Sequence, residues 1–325
     1  MAGRPGGPGD AAMSGLRRLI VDTDTGADDV WAIVEALRAE EVARVEAITV
    51  VCGNLPLDLC VKNAMLAEDA AAARYPPVYR GMERPILRKT AFYAQDVHGR
   101  DGLGEMNLPW PDRPVEKKHA VQAIIDTVMA SPGEIEIAAC GPLTNLAMAL
   151  LLEPRLAENI KRVWILGGSA GGLGNMTPLA EYNVYTDPEA ASIVLNAGMD
   201  TVWIPWDTAQ GETEITPEEL RRMERCGDGA AAFCARCVRT MRVWQRKSRG
   251  RDTLSVIDSM LMTAALYPEV MEGPFRAACA IETAPGERRG HFRIEPAGDT
   301  PNCTVCPRIN AGRYKERLFT LLGAL

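Results

Sequence analysis

Positive charge is the scarcer sign in this chain. Its 325 residues carry 36 Lys+Arg against 43 Asp+Glu, a net charge of −7, with no dense Lys/Arg block. Such a balance argues against nucleic acid or an anionic membrane surface as the main partner. No apolar run approaches the roughly 18 residues that a spanning helix needs, so a membrane is not expected as a partner either. The first nineteen residues are rich in Gly and Pro and lack the apolar core of a signal peptide. Residues 1–17 are therefore read as a disordered leader, with Met13 as an alternative start, and 18–325 as one domain. With no export signal, the nine cysteines are expected as thiols in the cytoplasm. Histidine is also sparse: the chain has three, His98, His119 and His291.

What is present is an alternation of short apolar strands and helices. Arg18–Asp22 reads as a strand, and Ala27–Ala39 as a helix with Val30, Ile33, Val34 and Leu37 on one face. Val45–Val51 is a β-branched run suited to a strand buried on both faces. Pro56–Arg74 is an Ala-rich helix with Pro at its start. Ile135–Ala139 and Val163–Leu166 are further strands, with helices from about Leu143 and from Pro188, the latter capped by Asp187. Helices dominate from Glu214 to Tyr267, and Tyr314–Leu322 suits a C-terminal helix. The order predicts an α/β fold: one domain built on a mostly parallel, Rossmann-like sheet flanked by helices. In such sheets ligands bind at the carboxyl ends of the strands. The polar clusters Asp22–Asp29, Gly53-Asn54, Gly141–Asn145 and Gly168–Asn183 all fall there.

Asp22-Thr-Asp24-Thr-Gly-Ala-Asp28-Asp29 places four carboxylates within eight residues. One or two acids would serve a helix N-terminus, with Asp24 as cap; four repel one another and call for a hard divalent cation held by oxygen ligands. No His or Cys lies nearby for zinc. The Asp22-x-Asp24 pair also fits the haloacid-dehalogenase phosphatases, but those want Thr or Val where this chain has Gly26, and they leave Asp28-Asp29 without a role.

The run closely resembles the D-x-D-x-G-x-D-D signature of the inosine-uridine-type nucleoside hydrolases. Further segments match in order: Val51–Asn54, His98–Leu103, Gly141–Asn145, Gly167–Ser169 with Gly174-Asn175, Ala180–Asn183 with Thr186–Glu189, and Ile257-Asp258. The resemblance runs from about Leu19 to the C-terminus. It implies hydrolysis of the N-glycosidic bond of a ribonucleoside through an oxocarbenium-like transition state. It further implies Ca²⁺ held by Asp24, Asp29, Asp258 and the main-chain carbonyl of Thr144, with Asp24 as general base toward the attacking water. Asp28 would accept from a ribose hydroxyl, and Asp22 would support the loop. Asn54 would orient the water or a hydroxyl, and Asn175, Glu181 and Asn183 would hold the 5′- and 3′-hydroxyls. Trp244 and Gln245 fall where relatives contact the leaving base. A homodimer or homotetramer is expected on the same ground.

The chain departs from the pattern at Ile257. Many members carry a histidine there as acid toward the leaving base. His98 is left as the one histidine expected to reach the pocket, either to donate to the base or to order its loop. Purines tolerate the loss of an acid better, because they can be protonated at N7 and activated by stacking, so the reading leans to purine nucleosides. Two alternatives stand beside it: an N-glycosidase acting on a nicotinamide or modified-base riboside, and a non-catalytic nucleoside-binding relative. Cys234/Cys237 and Cys303/Cys306 each have C-x-x-C spacing, but 65 residues separate the pairs, and free thiols are expected rather than structural zinc or a disulfide. The run Arg236–Arg251 reads as a solvated helix face near the pocket mouth, with a subunit or phosphate contact as the other reading.

Overall fold

A computed structural model describes residues 16–89, 92–295 and 300–325. Residues 1–15 of the expected leader lie outside it. Strand β1 (Arg17–Thr23) begins one residue inside that leader, because Arg17 is held by ion pairing to the buried Glu136 and by bonds to the main-chain carbonyls of Ala265 and Leu266.

The first half is a regular alternation: α1 (Ala27–Arg38), β2 (Ala43–Val50), α2 (Leu57–Ala71), β3 (Val78–Arg80), α3 (Gln95–His98), α4 (Ala120–Met129), β4 (Ile135–Ala139), α5 (Thr144–Leu152), α6 (Leu156–Asn159) and β5 (Arg162–Leu166). Next come α7 (Tyr182–Thr186), α8 (Pro188–Leu195) and β6 (Thr201–Ile204). A helical block follows, α9 (Pro217–Arg225), α10 (Gly229–Cys237), α11 (Arg239–Arg249) and α12 (Ile257–Leu266). The chain finishes with short strands β7 (Met271–Glu272), β8 (Phe275–Ala277), β9 (Cys279–Ile281), β10 (Phe292–Ile294), β11 (Cys303–Val305) and β12 (Arg308–Ile309), then α13 (Ala311–Leu321).

The main sheet has the order β3-β2-β1-β4-β5-β6-β11-β8. All its pairings are parallel except that of edge strand β8 with β11. The expected α/β class with a mostly parallel sheet is what forms. The order reverses direction between β1 and β4, and at such a switch point the two following loops diverge and leave a crevice. The loops concerned are Asp24–Gly26 and Cys140–Leu143, the second tied to the end of β1 by the Cys140 N–H donating to the Asp22 carbonyl at 2.8 Å.

Helix α1 departs from the expected one-sided pattern: every residue from Ala27 to Leu37 is buried. Helices α2, α10 and α12 all pack on it, so even Trp31 and Glu35 lie inside. Trp31 Nε1 finds the Cys234 carbonyl at 2.9 Å, and Glu35 accepts from Thr263 Oγ1 at 2.6 Å. Helix α2 stops at Ala71, three residues short of expectation, where Ala72 takes a left-handed φ of 51°. Asp187 caps α8 as expected, accepting from Ala190 N at 3.1 Å. Helix α4 and the short strands β6 and β11 add to the elements expected from the sequence.

Candidate active site

The loop after β1 and the first turn of α1 hold the acid cluster. Asp22, Asp24, Asp28 and Asp29 are buried, and Asp258, from the first turn of α12, joins them from across the site. Backbone and neutral side chains fix their orientation. Asp22 Oδ1 accepts from Thr49 Oγ1 at 2.6 Å and Asn145 Nδ2 at 2.8 Å. Asp24 Oδ2 accepts from the Asn54 N–H at 2.6 Å. Asp29 takes Thr23 Oγ1 at 2.6 Å, the Gly26 N–H at 2.9 Å and Asn54 Nδ2 at 3.2 Å. The glycines here make room: a Cβ on Gly53 would collide with the Asp24 carboxylate, and one on Gly141 would come within 2.7 Å of Asp24 Oδ1.

Burial pushes the Asp22, Asp28 and Asp29 carboxyls up to about 6, with the neighbouring charge of Asp28 adding to Asp29. Asp24 and Asp258 are pushed well above the carboxylate range by burial and by the acids around them. A carboxyl held near 6 costs on the order of 3 kcal/mol when ionised at neutral pH. Three of them together approach the roughly 5–15 kcal/mol net stability of a folded domain. No Lys or Arg is bonded to any of the five among the described residues. A bound cation would supply the missing counter-charge, and the donor set fits one. Asp28 Oδ1 and Asp258 Oδ1 are buried without a hydrogen-bond partner. Donor atoms of Asp29, Asp258 and Cys140 lie within 4.8 Å of one another. The Cys140 thiol, held far up by burial and the carboxylates, is a poor ligand for a hard ion. Thr144 sits buried at the start of α5 with its hydroxyl donating to Asp187 Oδ2 at 2.7 Å, so a contribution from it would come through its main-chain carbonyl.

A cavity of about 370 Å³ opens above this cluster. Of the residues singled out in the sequence, Asp28, Asn54, His98, Asn175, Glu181, Asn183, Trp244, Gln245 and Asp258 line it, while Asp24, Asp29 and Thr144 lie behind its wall. Glu181 and Asn183 are also structural. The Glu181 carboxylate accepts from the N–H groups of Gly168, Asn183 and Val184 at 3.1, 2.8 and 3.1 Å, capping α7. Asn183 Nδ2 donates to the Cys140 carbonyl at 2.6 Å and more weakly to that of Leu166 at 3.3 Å. Asn183 therefore ties the β4 and β5 strand ends together, while Glu181 ties the loop after β5 to the start of α7. Gln245 Oε1 accepts from Ser255 N at 3.3 Å.

His98 ends α3 and is buried, its Nδ1 accepting from the Ala27 N–H at 3.2 Å. Burial lowers its pKa to about 4, against a smaller opposing pull from Asp29. The 3.6 Å approach to Asp28 Oδ1 is thus a contact with a neutral imidazole.

Lining residues that the sequence did not single out include Trp206, just after β6, and Cys140, just after β4, while Arg249, the last residue of α11, comes from the Arg236–Arg251 run expected near the pocket mouth. Trp206 had a signal, the apolar run Thr201–Ile204 ending at Pro205, which marks a strand end. Arg249 is the one Lys or Arg of the Arg236–Arg251 run that lines the cavity, beside Met241, Trp244 and Gln245 of the same run, where a solvated face is expected. The C-x-x-C pairs form no site: all nine cysteines are free, and Cys237 Sγ donates to the carbonyls of Ala27 and Cys234 at 3.2 and 3.1 Å.

Residues 19–316 match the family model described as inosine-uridine preferring nucleoside hydrolase. The chain is 34% identical over 279 residues to a probable uridine nucleosidase 2 of Oryza sativa subsp. japonica, covering 86% of this chain and 82% of that one. Its structure is similar to that of a plant nucleoside hydrolase, with a TM-score of 0.89 at 29% identity over 95% of this chain and 99% of the other. It is also similar to an inosine-guanosine nucleoside hydrolase, with a TM-score of 0.86 at 27% identity over the same shares.

Proposed function

This chain belongs to the inosine-uridine preferring nucleoside hydrolase family, and from that premise we propose that it splits ribonucleosides into ribose and free base, using Ca²⁺ and with a lean to purine nucleosides. Family members are enzymes that hydrolyse the N-glycosidic bond of ribonucleosides. The observation that carries the reading for this chain is the set of buried, partnerless carboxylate oxygens at the floor of a nucleoside-sized cavity.

Asp24, Asp29, Asp258 and the carbonyl of Thr144 would hold the ion, and their all-oxygen chemistry favours Ca²⁺ over zinc. When bound, the ion supplies Lewis acidity to the attacking water and offsets the carboxylate charge. Asp24 takes the water's proton; its carboxylate is pinned for that task by the Asn54 N–H. Asp28, with Oδ1 uncommitted, accepts from a ribose hydroxyl. The carboxylates of Asp28 and Asp258 also face the positive charge that develops on the sugar as the base leaves. At the other part of the cavity Trp206 and Trp244 form an aromatic wall. Two fused rings stack over more of such a wall than one does, which supports the purine lean.

Ribose release from inosine, guanosine, adenosine, uridine, cytidine and nicotinamide riboside tests the reading. Release that is fastest from the purines is the expected result. Release from nicotinamide riboside alone would move the assignment to another N-glycosidase. Nucleoside binding without release from any of the six would make the chain a binding protein.

A further inference from the structure

We propose that Arg249 is a catalytic residue that meets the leaving base, stabilising the negative charge that builds on it in place of the proton donor missing at Ile257. This rests on the hydrolase reading above. Arg249 is the only Lys or Arg among the described residues lining the cavity, whose other charged groups are the carboxylates of Asp28, Asp96, Glu181 and Asp258. Its guanidinium lies 5.1 Å from the Trp206 ring centre and 5.7 Å from that of Trp244, and its Nη1 donates to Gln210 Oε1 at 3.2 Å. All three neighbours line the cavity too. The cation thus belongs to the aromatic part of the site and not to the acid cluster. The nearest acid to influence it is Glu214, which is bonded to Thr253 and lies 3.4 Å from Arg251. No ion pair of Arg249 forms among the described residues. An arginine stacked on tryptophans and short of a counter-ion is a preformed site for negative charge.

The cavity is therefore polarised along the direction of the reaction, with carboxylates where the sugar becomes positive and a cation where the base becomes negative. The C1′–N bond breaks with its electron pair passing to the base. In an oxo base that charge spreads onto the carbonyl oxygen, which accepts from the guanidinium fork; the O6/N7 edge of an oxopurine matches that fork in two bonds. Water oxygen bonds to C1′, its proton goes to Asp24, and the departed base anion takes a proton from solvent. Arg249 itself donates no proton, since guanidinium does not deprotonate in proteins.

The test compares inosine with p-nitrophenyl β-D-ribofuranoside, whose leaving group is a stable anion needing little help. Arg249→Gln is expected to lower kcat/KM on inosine by about 100-fold, the scale of losing one charge-stabilising donor, and on the nitrophenyl riboside by less than about 3-fold. Arg249→Lys, which keeps the charge without the fork, is expected to recover at least about 10-fold of the inosine loss. Equal losses on both substrates would mean a merely structural role and would overturn the proposal. So would a Lys variant no better than Gln, or an inosine rate unchanged by either substitution. A wild-type protein inert on both ribosides overturns the hydrolase reading and this one with it; an active wild type with equal losses overturns the role of Arg249 alone.

Discussion

The Nδ1 atom of His98 accepts a hydrogen bond from the main-chain N–H of Ala27 at 3.2 Å. Ala27 is the first residue of α1, one position before Asp28-Asp29. The bond fixes the imidazole tautomer: the proton sits on Nε2, and the ring is a neutral donor.

With its pKa lowered from 6.5 to about 4 by burial, His98 stays neutral across the working range. The unfolded chain binds its proton at higher pH than the folded one. Stability from this group is therefore complete above about pH 6.5 and is lost as pH falls through 4. The expected NMR result is a His98 ring signal that does not titrate between pH 5 and 8. A midpoint near 6.5 would remove the neutral-donor assignment.

Removing one carboxylate should separate stability from ion binding. Asp258→Asn relieves like-charge repulsion in a buried cluster, so at pH 7.5 in EDTA the variant should melt higher than wild type, by about 1–3 kcal/mol in stability. Added Ca²⁺ should raise the wild-type melting temperature and leave the variant nearly unmoved. The reverse pattern in either buffer would mean that the cluster is not a cation site.

Glu35 gives a pH prediction independent of the ion. It lies between α1 and α12, with Oε1 partnerless and Oε2 on Thr263, and burial raises it from 4.5 to about 8. A carboxyl with a raised folded pKa contributes stability that is whole below pH 4.5 and lost as pH rises through 8. Glu35→Gln, neutral throughout, should flatten that decline and melt higher than wild type at pH 9 by on the order of 5 °C. Parallel pH curves for the two proteins would contradict it.

The legible part of the site is the part written contiguously. Asp22–Asp29 must sit together because one strand end and one helix start carry them all, and Asn54 follows the next strand in the same way. Helix α1 shows where periodicity misleads: Trp31 and Glu35 fall off the apolar stripe, yet helices α2, α10, α12 and α13 all pack against it. Trp206 and Cys140 follow the ends of β6 and β4, whereas Arg249 owes its place to the packing of α11 against Trp206 and Gln210 from a distant segment. A C-terminal arginine in a basic helix looks solvated until two tryptophans close over it. Glu181 and Asn183 were legible as site residues, but their bonds to the backbone of neighbouring loops were not.

The most direct test of the whole account is ribose release from inosine by three samples: wild type with Ca²⁺, wild type in EDTA, and Asp24→Asn with Ca²⁺. The account predicts release in the first only, restored to the second by adding Ca²⁺ back. The variant should fall by at least about 100-fold, as expected for a lost general base. Undiminished release in EDTA, or by the Asn variant, would contradict the assignment of cation and base.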